Sequence, residues 1–315
     1  MTDNRSPCIL PADDAAVAQA AQALRAGAIV ALPTETVYGL AARADRAEAV
    51  AAIYRAKGRP DFNPLIVHVL DLAGAEALAE VDDRARALAA AFWPGPLTMV
   101  LPLRAGTDVA AAVTAGLPTV AIRCPAHAVM RAVLAQSGLP LAAPSANASG
   151  GVSPTVAAHV AASLGDRVGL ILDGGECRAG LESTIIALRA DGGWQILRPG
   201  PVTEADLAAV LGQGGSVALG DTIEAPGQMT SHYAPGKPVR LNATQKAADE
   251  FLIGFGGEGA DYSLSPSGDL PEAAARLYAA LHAAAAAPQP KVAVAPIPDH
   301  GIGAAINDRL RRAAA

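Results

Sequence analysis

Short apolar runs alternate with alanine-rich amphipathic segments along the first 200 residues of the chain. The amphipathic segments, in which apolar residues recur every three to four positions, predict helices over 14–25, 47–55, 82–92, 127–136 and 155–164. The apolar runs between them, such as LIVHV and TVAIRCP, predict short strands. Strands mixed with helices in this way favour an α/β fold, with an open, twisted, mixed sheet and helices packed on it.

Three further strands are predicted late in this region, in the segments GLILDGG, ESTIIAL and WQILRPG. No helical segment separates them. Because consecutive strands without a crossover helix usually pair in opposite directions, we expect these three to form an antiparallel portion of the sheet.

The pattern changes after residue 200. A helix predicted over 203–211 is followed by glycines and by the Pro/Gly-spaced segment APGQMTSHYAPGKPV, which is typical of a linker. A second strand–helix pattern follows, with strands in EFLIGFG and KVAVAPI and helices over 271–287 and 303–312. We therefore predict one α/β domain over 12–200, a linker over 201–238 that acts as a lid, and a smaller C-terminal α/β domain over 239–315.

The segment YRAKGRPDFNPLIVHV, residues 54–69, allows two interpretations. Lys57, then Gly58, then Pro60 is an ordinary end of a helix, because cations favour the last turn, glycine takes a left-handed cap and proline prevents continuation. The same residues could instead form an anion site, with Lys57 and Arg59 as its charges. In the strand that follows, odd-numbered and even-numbered residues should face opposite sides, which places His68 with Ile66.

Composition and charge narrow the possible functions. Lys and Arg number 24 and Asp and Glu 30, a formal net charge of −6. A protein that coats duplex nucleic acid needs a surplus of cations, and aromatic residues for base stacking are only 3% of the chain. We therefore expect no strong direct nucleic-acid binding. No apolar run is long enough for a membrane span, and the N-terminus lacks an apolar signal core, so we expect a cytoplasmic protein without membrane contact. The three widely spaced cysteines argue against a disulfide framework or a structural zinc site.

Polar residues cluster at predicted strand ends. PTETVYGL, residues 33–40, carries Thr34 and Thr36 two positions apart, and they share a face if the strand continues. APSANASGGVSPT, residues 143–155, is a loop of small residues before a helix, which suits an anion. Each segment could equally be an ordinary polar strand end or loop.

Charged residues inside apolar strands indicate a functional site more strongly. Arg123 lies in TVAIRCP, and Arg198 ends the strand of WQILRPG. A charge there is costly unless it is paired or faces a site. Ser183, between Glu182 and Thr184, lies at a similar position.

Two nucleotide-binding motifs are excluded. GFGGEG, residues 254–259, matches GxGxxG, but the next predicted helix begins about a dozen residues later, whereas a dinucleotide site requires the helix at once. No GxxxxGK[S/T] motif occurs.

Several of these motifs, taken together in order and spacing, resemble the YrdC-like threonylcarbamoyl-AMP synthase family. They are the pair Lys57-x-Arg59 and Ser145-x-Asn147, with PTETVYGL, FWPGPLT and TVAIRCP. This resemblance covers about residues 12–201. SHYAP, residues 231–235, and GIGAAINDRL, residues 301–310, resemble the longer form of the synthase, which has a C-terminal domain.

The resemblance implies a nucleotidyltransferase that joins L-threonine, bicarbonate and ATP into threonylcarbamoyl-AMP and releases pyrophosphate. Partner threonylcarbamoyl transferase proteins would pass the group to tRNA, forming N6-threonylcarbamoyladenosine. Carried over by motif, the expected threonine-binding residues are Thr36, His68, Arg123, Ala143 and Ser183. The expected ATP-binding residues are Arg59, Asn63, Thr119, Ser145, Asn147, Ser153, Arg198 and Tyr233. Lys57 and Arg59 are the expected catalytic residues.

The resemblance implies Mg²⁺ with ATP and no organic cofactor, and no acidic motif identifies protein ligands for the metal. Two alternatives stay open. One is a non-catalytic RNA-binding module of the same fold. The other is a related carbamoyl-adenylate enzyme with another substrate.

Overall fold

The computed structural model describes residues 7–212, 215–217, 224–226 and 232–315. The predicted linker falls partly outside these ranges, because Ser231 of the SHYAP motif and residues 227–230 are not among them.

The first part of the chain forms an eleven-stranded mixed sheet. Its strands, in chain order, are β1 Cys8–Pro11, β2 Val30–Leu32, β3 Gly39–Arg43, β4 Ile66–His68, β5 Leu97–Pro102, β6 Thr119–Arg123, β7 Leu141–Ala142, β8 Leu170–Asp173, β9 Thr184–Leu188, β10 Trp194–Arg198 and β11 Gly215–Val217. In space they lie in the order β1-β8-β2-β3-β7-β4-β6-β5-β9-β10-β11. The expectation of an open mixed sheet is confirmed.

Helices accompany this sheet where the apolar periodicity predicted them, and two short helices, over residues 72–76 and 111–114, were not predicted. They are α1 Asp14–Arg25, α2 Ala47–Lys57, α3 Leu72–Glu76, α4 Asp83–Phe92, α5 Ala111–Thr114, α6 Ala128–Ser137, α7 Ala157–Leu164 and α8 Glu204–Leu211. Local capping explains several of the starts. Asp13 and Asp82 each accept a hydrogen bond from a first-turn N–H, and Thr203 forms a capping box with Asp206.

The two faces of the central strands differ as the alternation in LIVHV predicted. Leu65, Val67 and Val69 join the main hydrophobic core on one face, whereas Ile66 packs in a separate small cluster on the other. His68 lies on that second face with Ile66. The second face is the one that carries the polar residues described below.

The expected antiparallel group of three late strands is only partly correct. β9 and β10 do pair antiparallel. β8 instead pairs in parallel with β1 and β2, near the other end of the sheet. The chain between β8 and β9, residues 174–183, therefore crosses from one side of the sheet to the other. A local pattern cannot reveal this, since a buried strand has the same apolar composition wherever it inserts.

The C-terminal part forms a second, four-stranded parallel sheet in the order β12-β15-β13-β14. Its elements are β12 Val239–Arg240, β13 Glu250–Gly254, β14 Tyr262–Ser263, β15 Lys291–Val294, α9 Leu270–Ala286 and α10 Ile302–Ala313. The glycines after β13 form a loop, as expected, because α9 begins only at Leu270. None of the helices in the described ranges has the length and apolar character that crossing a bilayer requires.

The two sheet units share a hydrophobic cluster. Val37, Val152 and Leu181 of the first unit pack with residues of α9 and with Tyr233 of the linker. The second unit therefore contacts the loops that follow β2, β7 and β8, where the motif residues lie.

Candidate active site

A transverse row of residues crosses five neighbouring strands on the second face of the large sheet. The register pairs His68 with Arg123, Arg123 with Thr98, Thr98 with Ile185, and Ile185 with Arg198. Residues paired across strands point to the same face. A histidine, two arginines and a threonine, far apart in sequence, are therefore brought together.

The adjacent row on the same face is apolar. It consists of Ile66, Ala121, Val100 and Ala187, and Ala225 of the linker packs on this cluster. The polar row therefore borders an apolar surface. Charges interact more strongly there than they do in water, because the local dielectric constant is lower.

Arg123 is held by three contacts that fix the plane of its guanidinium. Nε donates to the Gly95 carbonyl at 3.1 Å, Nη1 to Thr36 Oγ1 at 2.8 Å, and Nη2 to Glu35 Oε1 at 2.5 Å. The Arg123 side chain is 4% exposed. The sequence motif that supplies Thr36 therefore also supplies the counter-ion of Arg123.

Glu35 is a site residue that the sequence analysis did not assign. Burial raises the pKa of its carboxyl, but the charge and hydrogen bond of Arg123 and a backbone bond from Ala126 outweigh burial, so the pKa lies below its usual value. Glu35 is therefore ionised near neutral pH. The available signal was the carboxylate inside PTETVYGL, three residues after the end of β2.

Thr34 and Thr36 do lie together, although not for the reason expected. β2 ends at Leu32, so strand geometry does not persist. Instead Thr34 Oγ1 accepts from the backbone N–H groups of Thr36 and Val37 in a tight turn, and the two hydroxyls are 2.8 Å apart.

Ser183 and Arg198 form one unit. Arg198 donates from Nε and Nη2 to the Ser183 carbonyl and from Nη2 to Ser183 Oγ at 3.1 Å. Thr98 Oγ1 lies 2.7 Å from the same hydroxyl. The hydroxyl of Ser183 is thus oriented between a cation and a second hydroxyl.

His68 is 3% exposed, and its Nδ1 has no hydrogen-bond partner in the part of the chain that the structure describes. Burial, followed by the charge of Arg123, lowers the pKa of His68 to about 3. The imidazole is therefore neutral near pH 7. A buried nitrogen of this kind suits a hydrogen bond to a bound molecule.

Helix α2 ends as its sequence predicts, and the same residues build the neighbouring wall of the site. Gly58 adopts a left-handed conformation with φ 61°. Arg59 then turns inward and donates to the carbonyls of Asn63 (3.2 Å) and Pro64 (2.9 Å). Burial and the nearby charge of Arg198 lower the pKa of Arg59 to about 10, so it stays charged near pH 7.

Lys57 does not line this cavity. Its Nζ donates to the carbonyls of Ser145 (2.6 Å) and Asn147 (2.5 Å), and the residue is 3% exposed. Burial lowers the pKa of Lys57 well below its ordinary value. In this arrangement Lys57 fastens the end of α2 to the loop after β7.

Tyr233 of the linker covers the site. It is 1% exposed and has φ 65°, a left-handed conformation that is rare for a bulky residue. Pro226 and His232 of the linker line the same cavity. The Ala234 N–H donates to the Gly150 carbonyl, which fastens the linker to the loop after β7.

Nine of the fourteen residues expected at the site line one cavity. They are Thr36, Arg59, His68, Arg123, Ala143, Ser145, Ser183, Arg198 and Tyr233. The free volume of the cavity, counted as the space that the centres of water molecules can reach, is about 50 Å³. This volume is enough for a few water molecules.

Five expected residues do not line the cavity. Lys57 and Asn147 brace the loop after β7, because Asn147 Nδ2 donates to the Ala148 and Gly151 carbonyls. Ser153 Oγ donates to Glu182. Asn63 is buried, and its backbone carbonyl accepts a hydrogen bond from the Tyr54 hydroxyl. Thr119 is the first residue of β6, at the opposite end of this strand from Arg123.

The two ends of the cavity carry side chains of different chemistry. Arg123, Thr36, His68 and Ser183 could bind a small zwitterion with a hydroxyl. Arg59, Arg198 and the backbone near Ser145 could bind phosphates. Among the described residues, no group of three or more His, Cys, Asp or Glu is arranged to hold a metal ion.

Comparison with known proteins gives matches along nearly the whole chain. The Sua5/YciO/YrdC family model, described as telomere recombination, matches residues 22–200, and a model described as the threonylcarbamoyl-AMP synthase C-terminal domain matches residues 202–315. The chain is 41% identical over 329 residues to the threonylcarbamoyl-AMP synthase of Bacillus subtilis, covering 97% of this chain and 94% of that protein. It is 38% identical over 322 residues to the enzyme of the same name from Pyrococcus abyssi, covering 93% and 92%.

A solved structure agrees with these matches. The crystal structure of P. abyssi Sua5 complexed with L-threonine superposes with a TM-score of 0.87 at 37% identity, covering 95% of this chain and 94% of that chain. A match of this coverage includes both the unit with the large sheet and the C-terminal unit. The chain therefore belongs to the YrdC/Sua5 family, in the longer form that carries the C-terminal domain.

Proposed function

We propose that this protein is a threonylcarbamoyl-AMP synthase, which converts L-threonine, bicarbonate and ATP to threonylcarbamoyl-AMP, pyrophosphate and water. The observation that carries the proposal is the single cavity in which Arg123, His68 and Ser183 lie at one end and Arg59 and Arg198 at the other. The relatives bear this enzyme name over most of the chain, and threonine is bound in the P. abyssi structure.

Threonine occupies the Arg123 end in this proposal. Its carboxylate shares the guanidinium with Glu35 or displaces it, and its hydroxyl bonds to the Ser183 hydroxyl or to His68. The amine then faces the phosphate end. Once it has lost its ammonium proton, it reacts with bicarbonate and releases water, or with carbon dioxide and releases a proton, to give N-carboxythreonine. Because His68 is neutral near pH 7, it adds no charge that would repel the threonine ammonium.

The second step takes place at the phosphate end. A carbamate oxygen attacks the α-phosphorus of ATP, and the bond from this phosphorus to the bridging oxygen of pyrophosphate breaks. Arg59 and Arg198 stabilise the charge that builds on the phosphate oxygens, which is the main task of a protein in such transfers. Mg²⁺ enters with ATP, bound to the phosphates.

The role in the cell follows from the same proposal. The adenylate passes to partner proteins that place the threonylcarbamoyl group on an adenosine beside the anticodon of certain tRNAs. We expect this to take place in the cytoplasm.

We expect pyrophosphate release from ATP to require both L-threonine and bicarbonate. A site that bonds a hydroxyl rejects an analogue without it strongly, whereas a missing methyl costs only about 10- to 200-fold. Serine should therefore be a poor substrate, and valine should be worse. Release that is independent of threonine would contradict the function, and valine turned over as well as serine would exclude a bonded hydroxyl.

We also propose that the linker is a lid. The free space of about 50 Å³ is small beside the roughly 300–1,000 Å³ of ordinary ligand pockets. Tyr233 must therefore move to admit ATP, and closing again would shield the carbamate and the adenylate from water. Tyr233→Ala should weaken nucleotide retention and leak adenylate without unfolding either unit.

Amide hydrogen exchange measures this movement directly. Exchange and proteolysis across residues 226–238 should slow when ATP and threonine are both added. Tyr262→Ala is the matched control for the Tyr233→Ala variant, because Tyr262 also packs against an arginine but lies outside the cavity. If exchange across residues 228–235 is the same with and without both ligands, the linker is only a tether.

A further inference from the structure

Glu182 is an acidic residue in a site that must accept a polyanion. Among the described residues that line the cavity, it is the only one with a carboxylate. It is 6% exposed. Burial raises the pKa of Glu182, but the charges of Arg309 and Arg198 and hydrogen bonds from Ser153 and Tyr278 outweigh burial and lower the pKa to about 2. Glu182 is therefore a full negative charge near pH 7.

The partners that compensate this charge come largely from the C-terminal unit. Glu182 Oε2 accepts from Arg309 Nε at 2.9 Å and from the Tyr278 hydroxyl at 2.7 Å. Glu182 Oε1 accepts from Ser153 Oγ at 2.5 Å. Arg309 lies on α10 and Tyr278 on α9, so two helices of the second unit reach one carboxylate of the first.

Arg309 is built into this position. It is 0% exposed, and among fully buried side chains it is one of the largest. Its Nη2 donates to the Pro199 carbonyl at 2.9 Å, next to Arg198, and its guanidinium lies 5.4 Å from the ring centre of Tyr233. One arginine of the C-terminal unit therefore contacts Glu182 and Tyr233, which both line the cavity, and bonds to the residue after Arg198, which also lines it.

We propose that Arg309 is a positioning residue of the nucleotide site, which neutralises Glu182 so that this carboxylate does not offset the positive charge of Arg59 and Arg198 that the phosphates of ATP need. This inference rests on the proposed function. It gives the C-terminal unit an electrostatic task in ATP binding, beyond holding the linker. Without Arg309, the charge of Glu182 would be balanced mainly by Arg198, a cation that the phosphates also need, in surroundings where charges interact strongly.

A purely structural role for the same ion pair makes a different prediction. If Arg309 and Glu182 only hold the two units together, removing either partner weakens folding, and removing both cannot restore ligand affinity. If Arg309 acts by cancelling a charge, neutralising Glu182 as well should restore most of the affinity that the loss of Arg309 removes.

The test is ATP affinity of the full-length protein, measured by titration calorimetry with Mg²⁺ and without threonine. Arg309→Met should raise the Kd for ATP by at least about tenfold, as expected for a buried charge left unpaired. Arg309→Met combined with Glu182→Gln should return the Kd to within about threefold of the parent protein, because the unpaired charge is gone.

Arg240→Met is the matched control. Arg240 makes a two-bond ion pair with Glu250 inside the C-terminal unit, away from the cavity. It should leave the Kd for ATP unchanged. Melting temperatures of all variants separate a loss of folding from a loss of affinity.

The proposal is overturned if Arg309→Met binds ATP like the parent protein, or if the double variant binds as weakly as Arg309→Met. Should Arg309→Met fail to fold, the decision rests on Arg309→Lys, which keeps the charge, and on the doubly neutral variant. Both should bind ATP, and a loss of more than about tenfold in both would refute the electrostatic role. ATP binding without pyrophosphate release in the parent protein would instead count against the proposed function alone.

Discussion

Replacing Arg59 with alanine is expected to remove about 2–4 kcal/mol of transition-state stabilisation, or about 30- to 1,000-fold in kcat/KM for pyrophosphate release. The guanidinium lines the cavity and stays charged near pH 7, since its pKa is lowered only to about 10. Alanine removes this charge from the place where negative charge develops on the phosphates. Arg59→Lys should recover only part of the rate, because a point charge cannot replace a planar fork.

The structure adds a control for this result. Arg59 also bonds to two loop carbonyls, so part of a loss could come from a loosened loop. Arg84 likewise bonds to two backbone carbonyls, of Gly193 and Arg189, but lies outside the cavity. The Arg84→Ala variant should therefore release pyrophosphate at about the rate of the parent protein. The melting temperature of Arg59→Ala should change little, and near-normal pyrophosphate release by this variant would remove Arg59 from the site.

Arg123→Lys is expected to lower kcat/KM for L-threonine by at least about 100-fold, although the charge is retained. Arg123 uses three nitrogens on three different groups, at Gly95, Thr36 and Glu35. One lysine ammonium cannot reproduce this planar arrangement and also meet a carboxylate. The KM for threonine should rise more than the KM for ATP, because the lost contacts lie at the threonine end.

Arg131→Lys tests whether any nearby arginine would show the same loss. Arg131 bonds to the Leu70 carbonyl and to Cys124 Sγ, beside Arg123 in the fold, but does not line the cavity. Steady-state kinetics in threonine and in ATP should find Arg131→Lys close to the parent protein. A parent-like KM for threonine in Arg123→Lys would show that threonine binds elsewhere.

Much of the local structure was determined by the sequence itself. The end of α2 at Gly58, the two faces of LIVHV and the glycine loop after β13 were all predicted and are found. Each depends on φ preferences, capping or side-chain alternation within a few residues. The order of family motifs also indicated that residues as distant as Thr36 and Tyr233 belong to one site, and both do line one cavity.

Tertiary structure alone decided three features. β8 inserts beside β1 and β2, Glu35 takes the guanidinium of Arg123, and Arg309 reaches Glu182 across 127 positions of chain. Each is a pairing between residues whose local sequence would suit many partners. The free energy that selects one partner comes from burying both groups in the same small volume. Only the packed chain brings them there, so no local pattern records the choice.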